Sequence, residues 1–188
     1  MMKRVDKELI WCGKVYDFNS HHVLLPNGKK TEIGVIHHPG SSAIIPVFED
    51  GAVTLVYQHR TAVDKDIYEL PSGSLLPGED PLACAKRELQ EECGLVGSQF
   101  EKIGELLIAP WYSDERIYLF IATGLVPCEQ HLDEDEFLTP HRFTFDHALS
   151  MVEKGEIQDA TTIIGLKMAY SIWKKKVSKT PQPNHGSP

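Results

Sequence analysis

The chain has 188 residues, of which 41% are hydrophobic and 24% are charged, and this mixture predicts one folded domain and excludes disorder along the whole length. Its 27 acidic and 19 basic side chains give a formal charge of -8, which disfavours nucleic-acid binding because phosphate backbones are repelled. An acidic protein that handles phosphates would meet them through metal ions. The four cysteines form no Cys-x-x-Cys pair. No run reaches the ~18 apolar residues of a membrane span, and no signal peptide is recognisable. We therefore expect a cytoplasmic protein without a membrane anchor.

The first 40 residues are predicted to form a small antiparallel β-meander. Apolar side chains alternate there in short runs, and turn residues such as Pro26-Asn27-Gly28 separate the runs. The runs cover 14–18, 23–25 and 31–36. Pro39-Gly40 ends this unit.

The next segment is predicted to supply two adjoining core strands. Residues 43–48 and 52–57 are rich in strand-forming side chains, and Glu49-Asp50-Gly51 joins them. Asp-Gly between two such runs favours a hairpin, so we expect these strands to pair with each other.

A loop rich in Pro, Gly and Ser over 71–81 precedes a predicted helix. Asp80 can cap this helix, Pro81 suits its first position, and Gly94 suits a left-handed cap at its end. The helical repeat places an apolar stripe on one face and a group of carboxylates on a roughly adjacent face. The stripe consists of Leu82, Ala85 and Leu89, and the carboxylates are Glu88, Glu91 and Glu92.

The last third of the chain is predicted to contain two strands, a long acidic loop and two helices. The strands cover 103–108 and 116–123, the loop 129–136, and the helices 144–153 and 159–177. Residues 178–188 are rich in Pro, Gly and polar side chains and are expected to form a disordered tail.

Three glutamates within little more than one helical turn repel one another, by a few tenths of a kcal/mol per pair. Arg87 can neutralise one of them. The carboxylates that remain are typical of a Mg²⁺ or Mn²⁺ site that keeps positions open for water and phosphate oxygens. The alternative is a solvated acidic helix face without a ligand.

The glutamates belong to a longer pattern of fixed spacing. In chain order it consists of Gly73, Glu79, Arg87, Glu88, Leu89, Glu91, Glu92, Gly94 and Leu95. This pattern is the Nudix box, so the chain closely resembles the Nudix hydrolases. The resemblance implies an α/β fold, the Nudix α/β/α sandwich, over residues 41–177, with the N-terminal antiparallel β-meander of residues 1–40 before it.

The same resemblance implies a metal-dependent enzyme. Glu88, Glu91 and Glu92, together with the backbone carbonyl of Ser72, are expected to bind two or three Mg²⁺ ions, with Mn²⁺ as an alternative. Arg87 and Glu79 are expected to orient these carboxylates, and Arg87 and Glu91 are counted with the catalytic residues. Family members use the cluster to activate water against a diphosphate.

Residues outside the box resemble one branch of the family, the ADP-ribose pyrophosphatases and nucleoside diphosphate sugar hydrolases. The segments concerned are Gln58-His59-Arg60, Glu69-Leu70-Pro71-Ser72-Gly73 and Ala109-Pro110. This implies cleavage of ADP-ribose or a related sugar nucleotide to a nucleoside monophosphate and a sugar phosphate, by a homodimer that exchanges its N-terminal sheets. A broad or GDP-mannose-type hydrolase and a non-catalytic ADP-ribose-binding module remain as alternatives.

Further site residues follow from this branch. The acidic loop falls where related hydrolases carry a catalytic glutamate, so Glu134 is the first candidate for the general base and Glu136 the second. Arg60, Glu69 and Glu115 are predicted to contact substrate. The alternative for each is an ordinary surface charge or ion pair.

Aromatic residues leave the base-binding group open. Trp111 stands where ADP-ribose hydrolases more often have glycine, so its ring is expected to reshape the pocket for the terminal sugar. Tyr16 and Phe18 are candidates for stacking on the base, and both are equally compatible with packing inside the meander.

Overall fold

The computed structural model describes residues 1–178, so the predicted tail lies outside the described residues apart from Ser178. In this part of the chain ten strands and three helices follow one another. They are β1 (Lys3–Cys12), β2 (Asp17–Leu24), β3 (Lys30–His37), β4 (Ser41–Pro46), β5 (Ala52–Arg60), β6 (Lys65–Glu69), β7 (Ser72–Ser74), α1 (Pro81–Cys93), β8 (Leu95–Leu107), β9 (Arg116–Pro127), β10 (Leu138–Thr144), α2 (Phe145–Glu153) and α3 (Ala160–Val177).

The strands form three sheets. Their orders are β1-β2-β3, β10-β5-β6 and β7-β4-β9-β8. Strands β4 and β9 are parallel, whereas the other pairs are antiparallel. Within residues 1–178 no helix combines the length and apolar character needed to cross a membrane.

The N-terminal meander has a different first strand from the predicted one. Strand β1 covers Lys3–Cys12 and pairs with β2 from Lys3 opposite Leu24 to Cys12 opposite Asp17. The segment 13–16 is instead the turn between them, closed by a hydrogen bond from Gly13 N–H to the Tyr16 carbonyl. The apolar alternation at 14–18 therefore spans a turn and a strand start, which local periodicity cannot distinguish from one strand.

The predicted hairpin of two paired core strands was wrong, although its turn exists. Gly51 has a φ of +76° and donates its N–H to the Phe48 carbonyl, as a tight turn requires. Beyond the single bridge between Val47 and Val53 the strands separate, because β4 pairs with β9 and β5 pairs with β10 and β6. The turn thus connects two sheets.

Helix α1 covers one face of the β7-β4-β9-β8 sheet, and α2 and α3 lie on the other side. Side chains alternate along β4 accordingly: Ile44 packs with Ala85 and Leu89 of α1, whereas Ile45 belongs to the core shared with α2 and α3. Each fully buried isoleucine or leucine contributes about 1.5–3 kcal/mol of burial energy. This layering confirms the predicted α/β/α sandwich with an N-terminal antiparallel meander.

The predicted helix ends are confirmed by their caps. The Asp80 carboxylate accepts the N–H groups of Leu82 and Ala83, and Gly94 adopts the left-handed conformation at the end of α1. Thr144 and Asp159 cap α2 and α3 in the same way. Capped at both ends, α1 holds its side chains in a fixed position beside β7 and β4.

Candidate active site

Strand β7 and helix α1 bring the glycine and the glutamates of the box into contact. A Cβ atom built on Gly73 would lie 1.9 Å from Oε1 of Glu88, so only glycine leaves room for this carboxylate. The N–H of Ser72 donates to Oε2 of Glu92 at 2.7 Å. The loop backbone therefore touches two of the three predicted metal ligands.

Arg87 is the cation at the centre of this cluster. Its Nη1 donates to Glu88 at 2.6 Å and to Glu91 at 3.0 Å, while Nε donates to Glu79 at 3.0 Å. These hydrogen bonds, led by the one to Glu79, raise the pKa of Arg87, and Arg87 in turn lowers the pKa of Glu79. This geometry is what the predicted orienting role of Arg87 and Glu79 would require.

Two of the glutamates point inward. Glu88 is 5% exposed and Glu92 is 3% exposed, whereas the side chain of Glu91 is 34% exposed. Burial raises the pKa of Glu88 to about 7, and burial together with the neighbouring charge of Glu88 raises the pKa of Glu92 to about 9. A positive charge nearby would favour the ionised form of both groups at neutral pH.

The donor set fits a hard divalent cation. One guanidinium is shared by Glu79, Glu88 and Glu91, and Glu92 is held by an N–H group alone, so the cluster carries more carboxylates than cations. In the arrangement described for residues 1–178, no group of three or more His, Cys, Asp or Glu side chains is gathered as a metal site, because these carboxylates face Arg87 and Ser72.

The carboxylates face a main cavity of about 1210 Å³. Nearly all residues that the sequence predicted for the site line it together, although they come from distant parts of the chain. They are Arg60, Glu69, Ser72, Arg87, Glu88, Glu91, Glu92, Glu115 and Glu136. Glu134 is not among the residues that line this cavity.

Arg60 and Glu69 form an ion pair at one wall of the main cavity. Nε of Arg60 donates to Oε2 of Glu69 at 2.7 Å, at the ends of β5 and β6. Burial raises the pKa of Glu69 despite the opposing effect of Arg60, and the charge of Asp159 adds to the increase. The Arg60 side chain remains 44% exposed and lines the main cavity, and its guanidinium has further N–H donors besides the one that bonds Glu69.

The acidic loop carries its glutamates in different surroundings. Glu136 lines the main cavity, and its charge contributes to the raised pKa of both Glu88 and Glu92. Glu134 is exposed to solvent. Lys14 of the meander donates to Asp135 of the loop at 3.0 Å, so the first turn of the meander contacts the loop.

A second set of hydrogen bonds in the cavity lining was not predicted from the sequence. The N–H of Gly40 donates to Nδ1 of His38, which leaves Nε2 to bond Ser74 Oγ at 3.4 Å. Glu115 accepts the hydroxyl of Ser41 at 2.8 Å. Ser74 lies 36 positions from His38, and Glu115 lies 74 positions from Ser41, so no local pattern could have indicated these two contacts.

The side chain of Cys84 also contacts the site. Its thiol lies 3.4 Å from the Gly73 carbonyl and 3.5 Å from Nη2 of Arg87. Burial raises the pKa of this thiol to about 11, so it stays protonated and acts as a packing group with a weak donor.

The two aromatic candidates of the meander separate in the structure. Tyr16 lines the main cavity and packs against the ring of Trp11, with ring centroids 5.5 Å apart. Phe18 covers Gly34 within the meander and does not line the cavity. Tyr16 is therefore the candidate that can meet a ligand there.

The fold is shared with a known structure. A crystal structure of an ADP compounds hydrolase superimposes with a TM-score of 0.81 at 20% sequence identity, covering 93% of this chain and 95% of that one. At this identity the match establishes the architecture alone.

Sequence comparison establishes the family. Residues 37–163 match the NUDIX domain, and the chain belongs to this family. It is 37% identical to an ADP-ribose pyrophosphatase of Bacillus subtilis (strain 168) over 88% of this chain and 90% of that protein. It is 36% identical to a methanol dehydrogenase activator of Bacillus methanolicus, with the same coverage.

Proposed function

We propose that the protein is a metal-dependent hydrolase that cleaves the diphosphate of ADP-ribose or a related nucleoside diphosphate sugar, giving a nucleoside monophosphate and a sugar phosphate. One observation carries the proposal. A single cavity is lined both by the buried helix carboxylates, which suit a divalent cation, and by Arg60, which suits phosphate. The 37% identity to an ADP-ribose pyrophosphatase supports the choice of substrate.

The metal would be held by Glu88, Glu91, Glu92 and the carbonyl of Ser72, as two or three Mg²⁺ ions or with Mn²⁺ in their place. Bound there, it supplies charge neutralisation for the diphosphate and a lowered pKa for the attacking water. Arg87 keeps Glu88 and Glu91 in place through the hydrogen bonds of Nη1. Gly73 gives Glu88 the space it occupies.

Glu136 is our choice for the general base, in preference to Glu134. Glu136 lines the main cavity and lies close enough to Glu88 and Glu92 to raise their pKa values. A base must reach the proton that it removes, and the exposed Glu134 does not line the cavity. Glu136 would take the proton of the water that attacks phosphorus.

Substrate binding is assigned to Arg60, Glu69 and Glu115. The guanidinium of Arg60 matches the oxygens of the diphosphate or of the distal sugar phosphate. Glu69 orients Arg60 through the bond at 2.7 Å and offers its second oxygen to a hydroxyl group. Glu115 also lines the main cavity, where it accepts a hydrogen bond from the Ser41 hydroxyl.

We propose further that the protein is a homodimer formed through its N-terminal meander. Every residue of β1 is exposed, and the strand carries large apolar side chains that a lone chain would leave in water. They are Val5, Leu9, Ile10 and Trp11. The end of this strand and the turn after it, residues 12–16, line the main cavity, so dimer formation would bear on substrate binding.

The test is turnover of ADP-ribose, ADP-glucose, GDP-mannose, UDP-glucose and a nucleoside triphosphate, each with Mg²⁺ and with chelator. We expect metal-dependent cleavage with ADP-ribose preferred. Similar rates on all sugar nucleotides would make the protein a broad hydrolase, and a preference for GDP-mannose would overturn the choice of substrate. Saturable ADP-ribose binding without cleavage under any metal would overturn the enzymatic proposal.

A further inference from the structure

The acidic loop between β9 and β10 is anchored on both sides of its middle. On the first side, the side-chain amide of Gln130 donates to the Glu92 carbonyl at 2.6 Å. On the second side, Leu138 opens β10 and pairs with Gln58 of β5. We call residues 133–136, which lie between these anchors, the loop tip. Its position depends on contacts of its own.

The loop tip is a tight turn that carries the proposed general base. Glu136 N–H donates to the Asp133 carbonyl at 3.0 Å, and Asp133 N–H donates to Oε2 of Glu136 at 3.2 Å. These two hydrogen bonds hold the Glu136 side chain relative to the rest of the tip. Because both lie within the tip, they do not determine where the tip stands relative to the glutamates of α1.

Electrostatic repulsion acts between the loop tip and the helix cluster. Besides burial, the charge of Glu136 raises the pKa values of Glu88 and Glu92, so the carboxylates of the two segments repel one another. All four side chains of the tip are acidic, namely Asp133, Glu134, Asp135 and Glu136. Without a counter-charge, this repulsion would favour a tip that lies farther from the cavity.

Lys14 of the meander supplies a counter-charge. Its Nζ donates to Oδ2 of Asp135 at 3.0 Å, and the two side chains are 81% and 72% exposed. Within residues 1–178, Lys14 is the one residue outside the loop that forms a hydrogen bond or an ion pair with the tip. The hydrogen bond to Asp135 raises the pKa of Lys14. The charges of Asp133 and Glu136 add to this increase, so the ammonium interacts with three of the four tip carboxylates.

The turn that carries Lys14 is held in place by its neighbours. Gly13 N–H donates to the Tyr16 carbonyl at 3.0 Å, and the rings of Trp11 and Tyr16 pack with centroids 5.5 Å apart. A Cβ atom on Gly13 would lie 2.2 Å from the Trp11 ring, so the indole lies directly on the backbone of the turn. With its backbone fixed in this way, Lys14 can hold the loop tip instead of following it.

We propose that Lys14 is a positioning residue of the hydrolase, whose ion pair with Asp135 keeps Glu136 directed into the main cavity. This inference rests on the proposed function, and it adds a residue of the meander to those that arrange the active site. Direct contact of Lys14 with a substrate phosphate is the competing role, because Lys14 also lines the main cavity. The two roles differ in whether Lys14 acts through Asp135.

The first experiment is a double-mutant cycle on the turnover of ADP-ribose at saturating Mg²⁺. Exposed ion pairs are weak, so we expect Lys14→Gln and Asp135→Asn each to lower kcat by about two- to fivefold, with KM nearly unchanged. The double variant should be no slower than either single variant, because the two residues act through one contact. Lys14→Arg should keep most of the rate. The charge exchange of Lys14→Glu with Asp135→Lys should restore what Lys14→Glu alone loses.

Lys102→Gln is the matched control for this cycle. Lys102 forms an exposed ion pair with Glu105 at 3.2 Å and does not line the main cavity, so its variant should behave as wild type. Additive losses in the double variant, or a rise in KM for Lys14→Gln that Asp135→Asn does not share, would assign Lys14 to the substrate and overturn the inference. A change of oligomeric state in Lys14→Gln, measured by light scattering, would overturn it as well.

A second measurement follows the loop tip without catalysis. A glutamate-specific protease should cleave after Glu134 or Glu136 when the tip opens, at a rate that follows the open population. In chelator, Lys14→Gln should raise this rate by about two- to fivefold, as read from fragment masses. Cleavage after the exposed Glu156, between α2 and α3, should stay unchanged. Lys14 lies 121 positions from Asp135, so its substitution leaves the cleaved sequence intact.

Together the two measurements separate this inference from the proposed function. If no sugar nucleotide is cleaved but Lys14→Gln opens the tip, the hydrolase proposal fails and the role of Lys14 in placing the tip stands. If sugar nucleotides are cleaved and Lys14→Gln changes neither kcat nor the protease rate, the positioning role fails alone. A lower kcat with an unchanged protease rate would also overturn that role, because Lys14 would then act by direct contact.

Discussion

Two groups of glutamates belong to the same region of the molecule but to different kinds of structure. Glu88 and Glu92 lie on a capped helix, are at most 5% exposed, and have raised pKa values. Glu134 and Glu136 lie on an irregular loop, where one is exposed and the other lines the main cavity. The comparison shows that the helix fixes where its glutamates point, whereas on the loop the direction of each side chain decides whether it reaches the cavity.

The largest effect is expected for Glu92→Gln. The amide keeps the shape of the side chain and removes the charge that a divalent cation requires, so kcat should fall to the level of the wild type in chelator. Thermal stability should be kept or raised, because a buried charge that is costly to ionise has been removed. Glu129→Gln, on the exposed part of the loop, is the matched control and should retain full activity. Full activity in Glu92→Gln would refute the metal assignment.

The second effect distinguishes the two loop glutamates. Loss of a general base commonly costs ~10²–10⁴ in rate, so Glu136→Gln should lower kcat by roughly 10³ with little change in metal affinity. Glu134→Gln should stay within about threefold of wild type, since its side chain points to solvent. Single-turnover rates at saturating Mg²⁺ provide the measurement. The opposite order of the two variants would return the role of base to Glu134.

The third effect tests how tightly the helix cluster is packed. In Gly73→Ala the new methyl group would occupy the position of Glu88 Oε1, so the carboxylate must move. A displacement of about 1 Å can cost ~10² in rate, and we expect a loss of that order in kcat. Gly104→Ala is the control, because its methyl group meets the flexible end of Met168 and lies at ordinary contact distance from Leu119. Equal activity of the two variants would show that Glu88 tolerates displacement.

The sequence was sufficient for the parts of the site that depend on local structure. The caps of α1, the spacing of its glutamates and the helix ends near Thr144 and Asp159 all follow from residues within a few positions of one another. The separation of β4 and β5 could not be predicted, because the Asp-Gly turn is the same whether it joins paired strands or two sheets. The partner of a strand depends on residues far away in the chain.

Long-range contacts limited the site prediction in the same way. Alternation along a loop without regular structure does not show which side chain turns inward, so the sequence could not rank Glu136 above Glu134. The pairing of His37 with Asp114 joins residues 77 positions apart. The ion pair of Arg60 with Glu69 joins two adjacent strands, but Arg60 stands opposite Lys65 and Glu69 opposite Val56, so strand register alone does not predict this contact.

The smallest effect concerns stability and pH in the metal-free protein. An unfolded glutamate has its ordinary pKa of about 4.5, whereas folded Glu88 and Glu92 have pKa values of about 7 and about 9. Between the unfolded pKa of about 4.5 and the raised pKa of each group, the folded state binds more protons than the unfolded state. The free energy of unfolding must therefore decrease as pH rises through this range. In chelator, the melting temperature should therefore fall by several degrees between about pH 5 and pH 8.

Mg²⁺ should reverse this dependence, because it binds the ionised carboxylates of the folded state and not the unfolded chain. We expect it to raise the melting temperature more at pH 8 than at pH 5. Glu88→Gln and Glu92→Gln should each flatten the slope in chelator, because each removes one group whose pKa is raised in the folded state. A melting temperature that rises with pH in chelator would contradict the burial argument for the helix glutamates and remove the difference between the two groups.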